Sequence, residues 1–423
     1  MMRVLTLAEA AVSPDRTSAV TLFWIALAAV IAPLVARATR RYVPEVVVLL
    51  VLGMVVGPHL LDFADPASVS AVSQLGLGML FLLAGYELDP QLLRGKPGAV
   101  AGGTWLISLL IATAVVAVLT GIGDFSAHVA IAIAMTSTAL GTLLPIIKSD
   151  GLLDQPLGRA VMSHGAVGEL GPIIAMSLLL TSRSVGSAAF VLVLFAAAAV
   201  VIAAVPRRAA HVPALRAAVE EMNGGTFQLP VRVVVALLAA LMAVAAVFDL
   251  DVVLGAFAAG IVLRRLLPQG TTVVERLETI GFGMLIPAFF VTSGMNIDPS
   301  AVISQPLVWV LLVLGIGVAR GLPVWIAERT ITHEASLRVG RERVQLALYA
   351  ATGLPIIVAV TQVAVAAELM SQTLASTLVA AGATTVLVFP MVARLITRAD
   401  AADPAGPDVV ADRADDGRPG VGG

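Results

Sequence analysis

Glu169 is the residue in this chain best placed to do chemistry. It sits in Ser163-His164-Gly165-Ala166-Val167-Gly168-Glu169-Leu170-Gly171-Pro172, about halfway along an apolar stretch, 157–180. That stretch is long enough to cross a bilayer as a helix. A charged side chain at the centre of such a helix costs roughly 2.5–3.5 kcal/mol, so a carboxylate kept there is read as carrying a proton or an ion. The structural alternative is a protonated Glu making a helix–helix hydrogen bond. Gly165, Gly168 and Gly171 leave the carboxylate little side-chain cover, so a neighbouring backbone or water can approach.

Two further stretches offer ligands. Thr136-Ser137-Thr138, followed by Gly141 and Pro145, occupies the middle of one apolar segment, and Thr352-Gly353-Leu354-Pro355 the matching part of another. Pro removes a backbone hydrogen bond and Gly weakens a helix, so each is expected to hold an unwound stretch at membrane depth. Freed carbonyls and Thr or Ser hydroxyls suit a monovalent cation, and helix halves contribute partial charges. The alternative is an ordinary kink with hydroxyls bonded to their own backbone.

Arg320 is a basic residue within a span, expected to face the bundle and pair with Glu169 rather than to snorkel. His164 is five residues from Glu169, about 140° around an ideal helix, and reads as a structural histidine. Glu87, Asp89 and Asp298 fall at span ends and read as solvated or capping. Gln362 reads as a packing amide or a supporting ligand, and the Phe and Met residues as lipid-facing or core side chains. Zero cysteines exclude thiol catalysis and thiolate metal sites, and five scattered histidines have no metal-ligand spacing. No enzyme activity and no resident cofactor is expected.

These residues need a membrane scaffold, and the composition supplies one. The chain is 59% hydrophobic and 13% charged, with a mean hydropathy of +0.98. Such a balance marks a polytopic membrane protein, all-α because lipid leaves no backbone group unpaired. A net charge of −2 gives no reason to expect nucleic acid as a partner. Thirteen spans are predicted, at about 19–36, 44–61, 70–88, 98–121, 126–147, 157–180, 185–205, 230–248, 250–266, 280–297, 306–327, 343–367 and 372–396. Alternate connections collect nearly all of the 26 basic residues: Arg3, Arg16 and Arg183 fall on the other side, and Arg320 within a span. The positive-inside rule then puts the N-terminus outside and the C-terminus in the cytoplasm.

Residues 1–20 make a poor signal peptide, since Glu9 and Asp15 interrupt the apolar run. Residues 1–18 are expected as an external segment and 399–423, rich in Ala, Asp, Gly and Pro, as a disordered cytoplasmic tail. The longest internal connection, 206–229, is too short for a soluble domain, and 399–423 has no nucleotide-binding glycine fingerprint.

The chain also repeats itself. Gly76-Leu77-Gly78-Met79-Leu80 leading to Gly85-Tyr86-Glu87-Leu88-Asp89-Pro90 is echoed by Gly281-Phe282-Gly283-Met284-Leu285 leading to Gly294-Met295-Asn296-Ile297-Asp298-Pro299. Leu52-Gly53 with Gly57 answers to Leu254-Gly255 with Gly260, and Leu144-Pro145-Ile146-Ile147 to Leu354-Pro355-Ile356-Ile357. The copies lie seven predicted helices apart. Seven is odd, so the second copy crosses in the opposite sense. That is an inverted-topology repeat, the architecture of many secondary transporters, with the site near the midplane at the repeat interface.

With these residues in view, the chain resembles the monovalent cation:proton antiporter-2 family of sodium/hydrogen exchangers. The stretch 81–90 resembles that family's Phe-rich run ending in Gly-x-Glu-Leu-Asp, and Thr136-Ser137-Thr138-Ala139-Leu140 its Ser-Ser-Thr-Ala segment. Leu254-Gly255-Ala256-Phe257-Ala258-Ala259-Gly260 is similar to its Leu-Gly-Ala-Phe-x-Ala-Gly, and 289–298 to its Phe-Phe-x-x-x-Gly-Met-x-Ile-Asp. The motifs cover roughly 44–396 in the family order.

The resemblance implies a homodimer with a core domain (about 98–180 and 306–396) holding two crossed discontinuous helices. It implies a dimerisation or scaffold domain at about 19–88 and 185–297, within a transporter unit of 19–398. It places the ion-binding carboxylate at Glu169, where the commoner pattern is an Asp preceded by Asp, Asn or Gln; here the pair is Gly168-Glu169. Arg320 falls where relatives place a Lys or Arg of the core.

The expected function is proton exchange for Na⁺ or K⁺ across the cytoplasmic membrane. One site is expected, with Glu169 as carboxylate, Thr136, Ser137 and Thr138 around it, and one-for-one electroneutral exchange. The runner-up is potassium efflux by a related member. A channel lacks a continuous polar pathway, and an organic-anion symporter would want more basic groups near the crossing than Arg320.

Overall fold

The computed structural model describes residues 14–39, 42–120, 125–180, 185–209, 228–267, 271–331, 337 and 339–402. The expected external segment and cytoplasmic tail, and the middle of the 206–229 connection, lie mostly outside these residues. Every regular element among them is helical. Helices α1 (Pro14–Ala38), α2 (Glu45–Val56), α3 (Ser70–Glu87) and α4 (Gly95–Thr120) come first. The short helices α5 (Phe125–Met135) and α6 (Leu140–Ser149) share one predicted span, followed by α7 (Pro156–Leu179), α8 (Val185–Ala209), α9 (Leu229–Val247) and α10 (Val252–Leu266). Next, α11 (Thr272–Ile280) runs through a π-turn, Gly281–Leu285, into α12 (Ile286–Met295), and α13 (Pro299–Ser304) is one short turn. Helix α14 (Pro306–Ile316) continues through a second π-turn, Gly317–Gly321, into α15 (Leu322–Thr330). Last come α16 (Gly340–Ala350), α17 (Leu354–Ala366) and α18 (Gln372–Ala402).

Each predicted span coincides with a helix or a broken pair. Nine among the described residues are long and apolar enough to cross a membrane, and Glu45–Val56 and Gly186–Val201 are shorter apolar helices. Helix α7, with Glu169, is not among the nine. Its glycines, serines and His164 lower its hydropathy, and it is covered by protein: His164, Gly165, Gly168 and Glu169 are all buried.

The helices pack in two groups. Helices α1, α2, α3, α9, α10 and α12 pack on one another, and α4 to α7 with α14 to α18 form the other group; α7–α10, α3–α6 and α2–α18 contacts join them, with α8 packed on both α7 and α10. The inverted repeat is visible as two matching crossings. In α3–α10, a Cβ on Gly85 would overlap the carbonyl of Phe257, and one on Gly260 that of Leu82. In α12–α2, the same holds for Gly294 against Leu50 and Gly53 against Val291. The landmarks Gly53, Gly57, Gly85, Gly260 and Gly294 therefore occur where two backbones touch, which only a residue without a side chain allows.

Candidate ion site at the helix crossing

The predicted breaks are real. Between α5 and α6 the chain leaves helical geometry at 136–139, and between α16 and α17 at 351–353. The two unwound stretches cross and bond to each other. Ala139 N donates to the Thr352 carbonyl at 2.6 Å, and Ser137 Oγ to the Gly353 carbonyl at 3.1 Å. Thr138 Oγ1 donates to the Ala350 carbonyl at 2.5 Å, and Thr138 N reaches the Gly168 carbonyl on α7 at 2.8 Å. The crossing thus satisfies backbone groups that a broken helix exposes. Gly353 is required here, because a Cβ would overlap both Ser137 Oγ and the Ser137 carbonyl.

The hydroxyls divide their work. Thr136 Oγ1 donates to Ala132 O on its own helix at 2.8 Å, and Thr352 Oγ1 to Tyr349 O at 2.7 Å. Ser137 and Thr138 tie one stretch to the other. Pro355 occupies the first turn of α17, where its missing N–H costs nothing. Pro145 lies inside α6 rather than at the break, which falls six residues or more before it. The stretch that unwinds is the one whose polar groups find partners in the second break.

Arg320 is fully buried in the π-turn between α14 and α15. Its Nε donates to Thr138 Oγ1 at 3.2 Å and its Nη2 to the His164 carbonyl at 2.8 Å, while Nη1 has no partner among the described residues. The expected ion pair with Glu169 is not formed in this structure. The guanidinium instead lies beside the C-terminal end of α16, through Thr138 and Ala350, where helix carbonyls concentrate negative charge. Gly168 makes room for this arrangement: a Cβ there would overlap Thr138 Oγ1 and come within 2.9 Å of Arg320 Nη2.

Glu169 itself is 5% exposed. Among the described residues no protein hydrogen bond or ion pair engages its carboxylate. It lines a cavity of about 1030 Å³ that runs inward from the exposed Arg37 and Glu45. Ala139 and Thr142 at the start of α6, and Pro355 at the start of α17, line the same cavity. Two helix N-termini, with their positive partial charge, therefore border the space that the carboxylate faces. A buried carboxylate, partial charges and an aqueous approach together can hold either a proton or a small cation.

Thr142 and Glu87 are among the polar cavity residues that spacing in the sequence did not single out for the site. Thr142 lies four residues beyond the Thr136–Thr138 cluster, one turn into α6. Glu87 falls at a span end, where the sequence predicts a solvated or capping role, yet it lines this cavity. Asp89 and Asp298 do cap, accepting from Gln91 N at 2.9 Å and Ser300 N at 2.8 Å. His164 is structural: Nε2 stands 3.3 Å from Glu328 Oε1 on α15, both nearly fully buried. Gln362 is a packing amide, its Nε2 donating to Ser293 Oγ on α12 at 3.0 Å.

Comparison with known proteins agrees with this geometry. The family model described as sodium/hydrogen exchanger, transmembrane, matches residues 26–399. YjbQ of Bacillus subtilis (strain 168) is 25% identical over 345 residues, 74% of this chain and 55% of that protein. The glutathione-regulated potassium-efflux system protein KefC of Escherichia coli is 26% identical over 319 residues, 73% of this chain and 50% of KefC. The chain thus spans about half the length of these relatives. Among solved structures, the sodium proton antiporter MjNhaP1 of Methanocaldococcus jannaschii superposes with a TM-score of 0.60 at 16% identity. That match covers 90% of this chain and 96% of the other, a likeness of fold.

Proposed function

The chain belongs to the sodium/hydrogen exchanger family, and we propose that it exchanges protons for a monovalent cation, Na⁺ or K⁺, at Glu169. The observation that carries this reading is the buried Glu169 carboxylate, free of protein partners among the described residues, at the inner end of a cavity beside two crossed, unwound helices. A proton and a cation neutralise the same carboxylate, so each displaces the other. One carboxylate makes the exchange one-for-one and electroneutral. Similarity to a potassium-efflux protein keeps K⁺ beside Na⁺ as cargo.

Ser137 and Thr138 hold the crossing, Arg320 offsets the negative helix ends, and Thr136 closes its own helix. The cation's ligands are Glu169 with the backbone and hydroxyls around Ala139 and Thr142. Alternating access moves a core (98–180 and 306–396) against a scaffold (19–88 and 185–297), and the scaffold pairs two copies into a homodimer. The protein sits in the cytoplasmic membrane with its N-terminus outside and C-terminus inside. The cavity then opens to the cytoplasm, because Arg37 at its mouth belongs to the basic connections.

The deciding experiment is exchange in proteoliposomes under an imposed pH gradient, with Li⁺, Na⁺, K⁺ and Rb⁺ compared. Glu169→Gln abolishes cation-driven proton movement in a protein that stays folded, and Glu169→Asp retains exchange with altered cation affinity. Normal exchange by the Gln variant sinks the assignment.

A further inference from the structure

Glu87 is a second carboxylate facing the same cavity, and it belongs to the other group of helices. It ends α3, which packs on α10 and α12. Arg264 on α10 donates from Nη1 to the carbonyls of Tyr86 at 2.9 Å and Glu87 at 3.1 Å, which fixes this turn to the scaffold. Its carboxylate nonetheless approaches the site: Oε2 would lie 3.8 Å from a Cβ built on Gly141, in the first turn of α6. Arg264 spends its charge elsewhere, 3.6 Å from Asp89 Oδ2.

A group of acidic residues alone would say little. The independent observation is Glu169, 95% buried, with no protein partner among the described residues and lining the cavity that Glu87 lines. Two carboxylates in one partly desolvated space attract a cation more strongly than either alone. They are mounted on different bodies. When the core carries Glu169 toward the outer face, Glu87 stays with α10.

We propose that Glu87 is a cation-attracting residue of the scaffold that strengthens cation loading at Glu169 only while the site faces the cytoplasm. Loading is then tight inside and release easier outside, a bias built into the geometry. This inference rests on Glu169 as the ion carboxylate and adds sidedness to it.

The test compares everted vesicles, which present the cytoplasmic face to the bath, with right-side-out vesicles. Glu87→Gln raises the apparent KM for Na⁺ or K⁺ about three- to tenfold in everted vesicles and leaves it within about twofold in right-side-out ones. Glu87→Asp falls between. The chain has no cysteine, so Glu87→Cys allows the charge to be rebuilt on the folded protein. A methanethiosulfonate carrying a sulfonate restores the low KM, and one carrying a quaternary ammonium raises it further. Equal KM changes on both faces, or no response to the sign of the reagent, overturn the proposal while leaving Glu169 in place. Normal exchange by Glu169→Gln, measured in parallel, would instead overturn the underlying reading.

Discussion

Arg320 Nε lies 3.2 Å from Thr138 Oγ1, and that hydroxyl in turn donates to the Ala350 carbonyl at 2.5 Å. A single buried cation is thereby wired to both broken helices at once. Its second bond, to the His164 carbonyl, adds α7, the helix of Glu169. Arg320 bears on the surroundings of Glu169 through the backbone it holds, rather than by contact with the carboxylate.

Replacing it therefore tests a positioning role. Charged hydrogen bonds contribute about 1.5–3 kcal/mol each, offset here by the cost of burying the guanidinium. Arg320→Gln lowers the thermal midpoint in detergent and reduces exchange. Arg320→Lys recovers more exchange than Gln, although its point charge cannot reach both acceptors in the same fork. Wild-type midpoint and exchange in the Gln variant would show that the crossing holds itself.

The crossing makes a second, steric prediction. At Gly353 an added Cβ meets Ser137 side chain and carbonyl together, so the backbone must shift. Overpacking of this kind costs about 1–3 kcal/mol. Gly353→Ala should lose both stability and exchange. Gly102→Ala on α4, where a Cβ meets nothing within 4 Å, should change neither. A pair of equal melting curves would refute the contact.

Much of this is legible in the sequence. The apolar runs gave the helices, because a membrane leaves the backbone no other choice. The breaks at 136–139 and 351–353 announced themselves through Thr and Gly at the apolar centre of a span, and Glu169 through the cost of its charge. The partners did not. Arg320 and Glu169 are both buried charges, so charge alone paired them; the choice of Thr138 and the His164 carbonyl depends on a π-turn at 317–321. Glu87 stands at a span end like Asp89 and Asp298. What separates it is a cavity formed by helices far apart in sequence, which no local pattern reports.

Topology yields a third prediction. Single cysteines at Asp298 and Arg341 react with an impermeant maleimide from opposite faces, 298 from outside and 341 from the cytoplasm. Both positions lie at described helix starts, and no native cysteine competes. Labelling of both from one face would contradict the membrane crossing of Pro306–Thr330 and the span alternation on which the topology rests.

The last prediction concerns what holds the two helix groups together around Ser293–Asp298, taking the proposed orientation, in which this end faces outward. Three hydrogen bonds join the two helix groups there: Gln362 to Ser293 Oγ at 3.0 Å, Gln372 to the Asn296 carbonyl at 2.8 Å, and Asp298 N to Ser376 Oγ at 3.1 Å. All connect α12 or the turn after it to α17 or α18, and outward opening must break them. A neutral hydrogen bond contributes about 0.5–1.5 kcal/mol net, so removing two shifts the balance toward the outward state roughly 5- to 160-fold. Gln372→Ala with Ser376→Ala should therefore protect a Thr142→Cys probe in the inner cavity, slowing its labelling by a cytoplasmic maleimide. The same double variant should let the cation reach Glu169 from outside at lower concentration. If the Thr142→Cys probe reacts at the rate seen without the two alanine substitutions, these bonds are packing contacts only, and the barrier to opening lies in other contacts between the two helix groups.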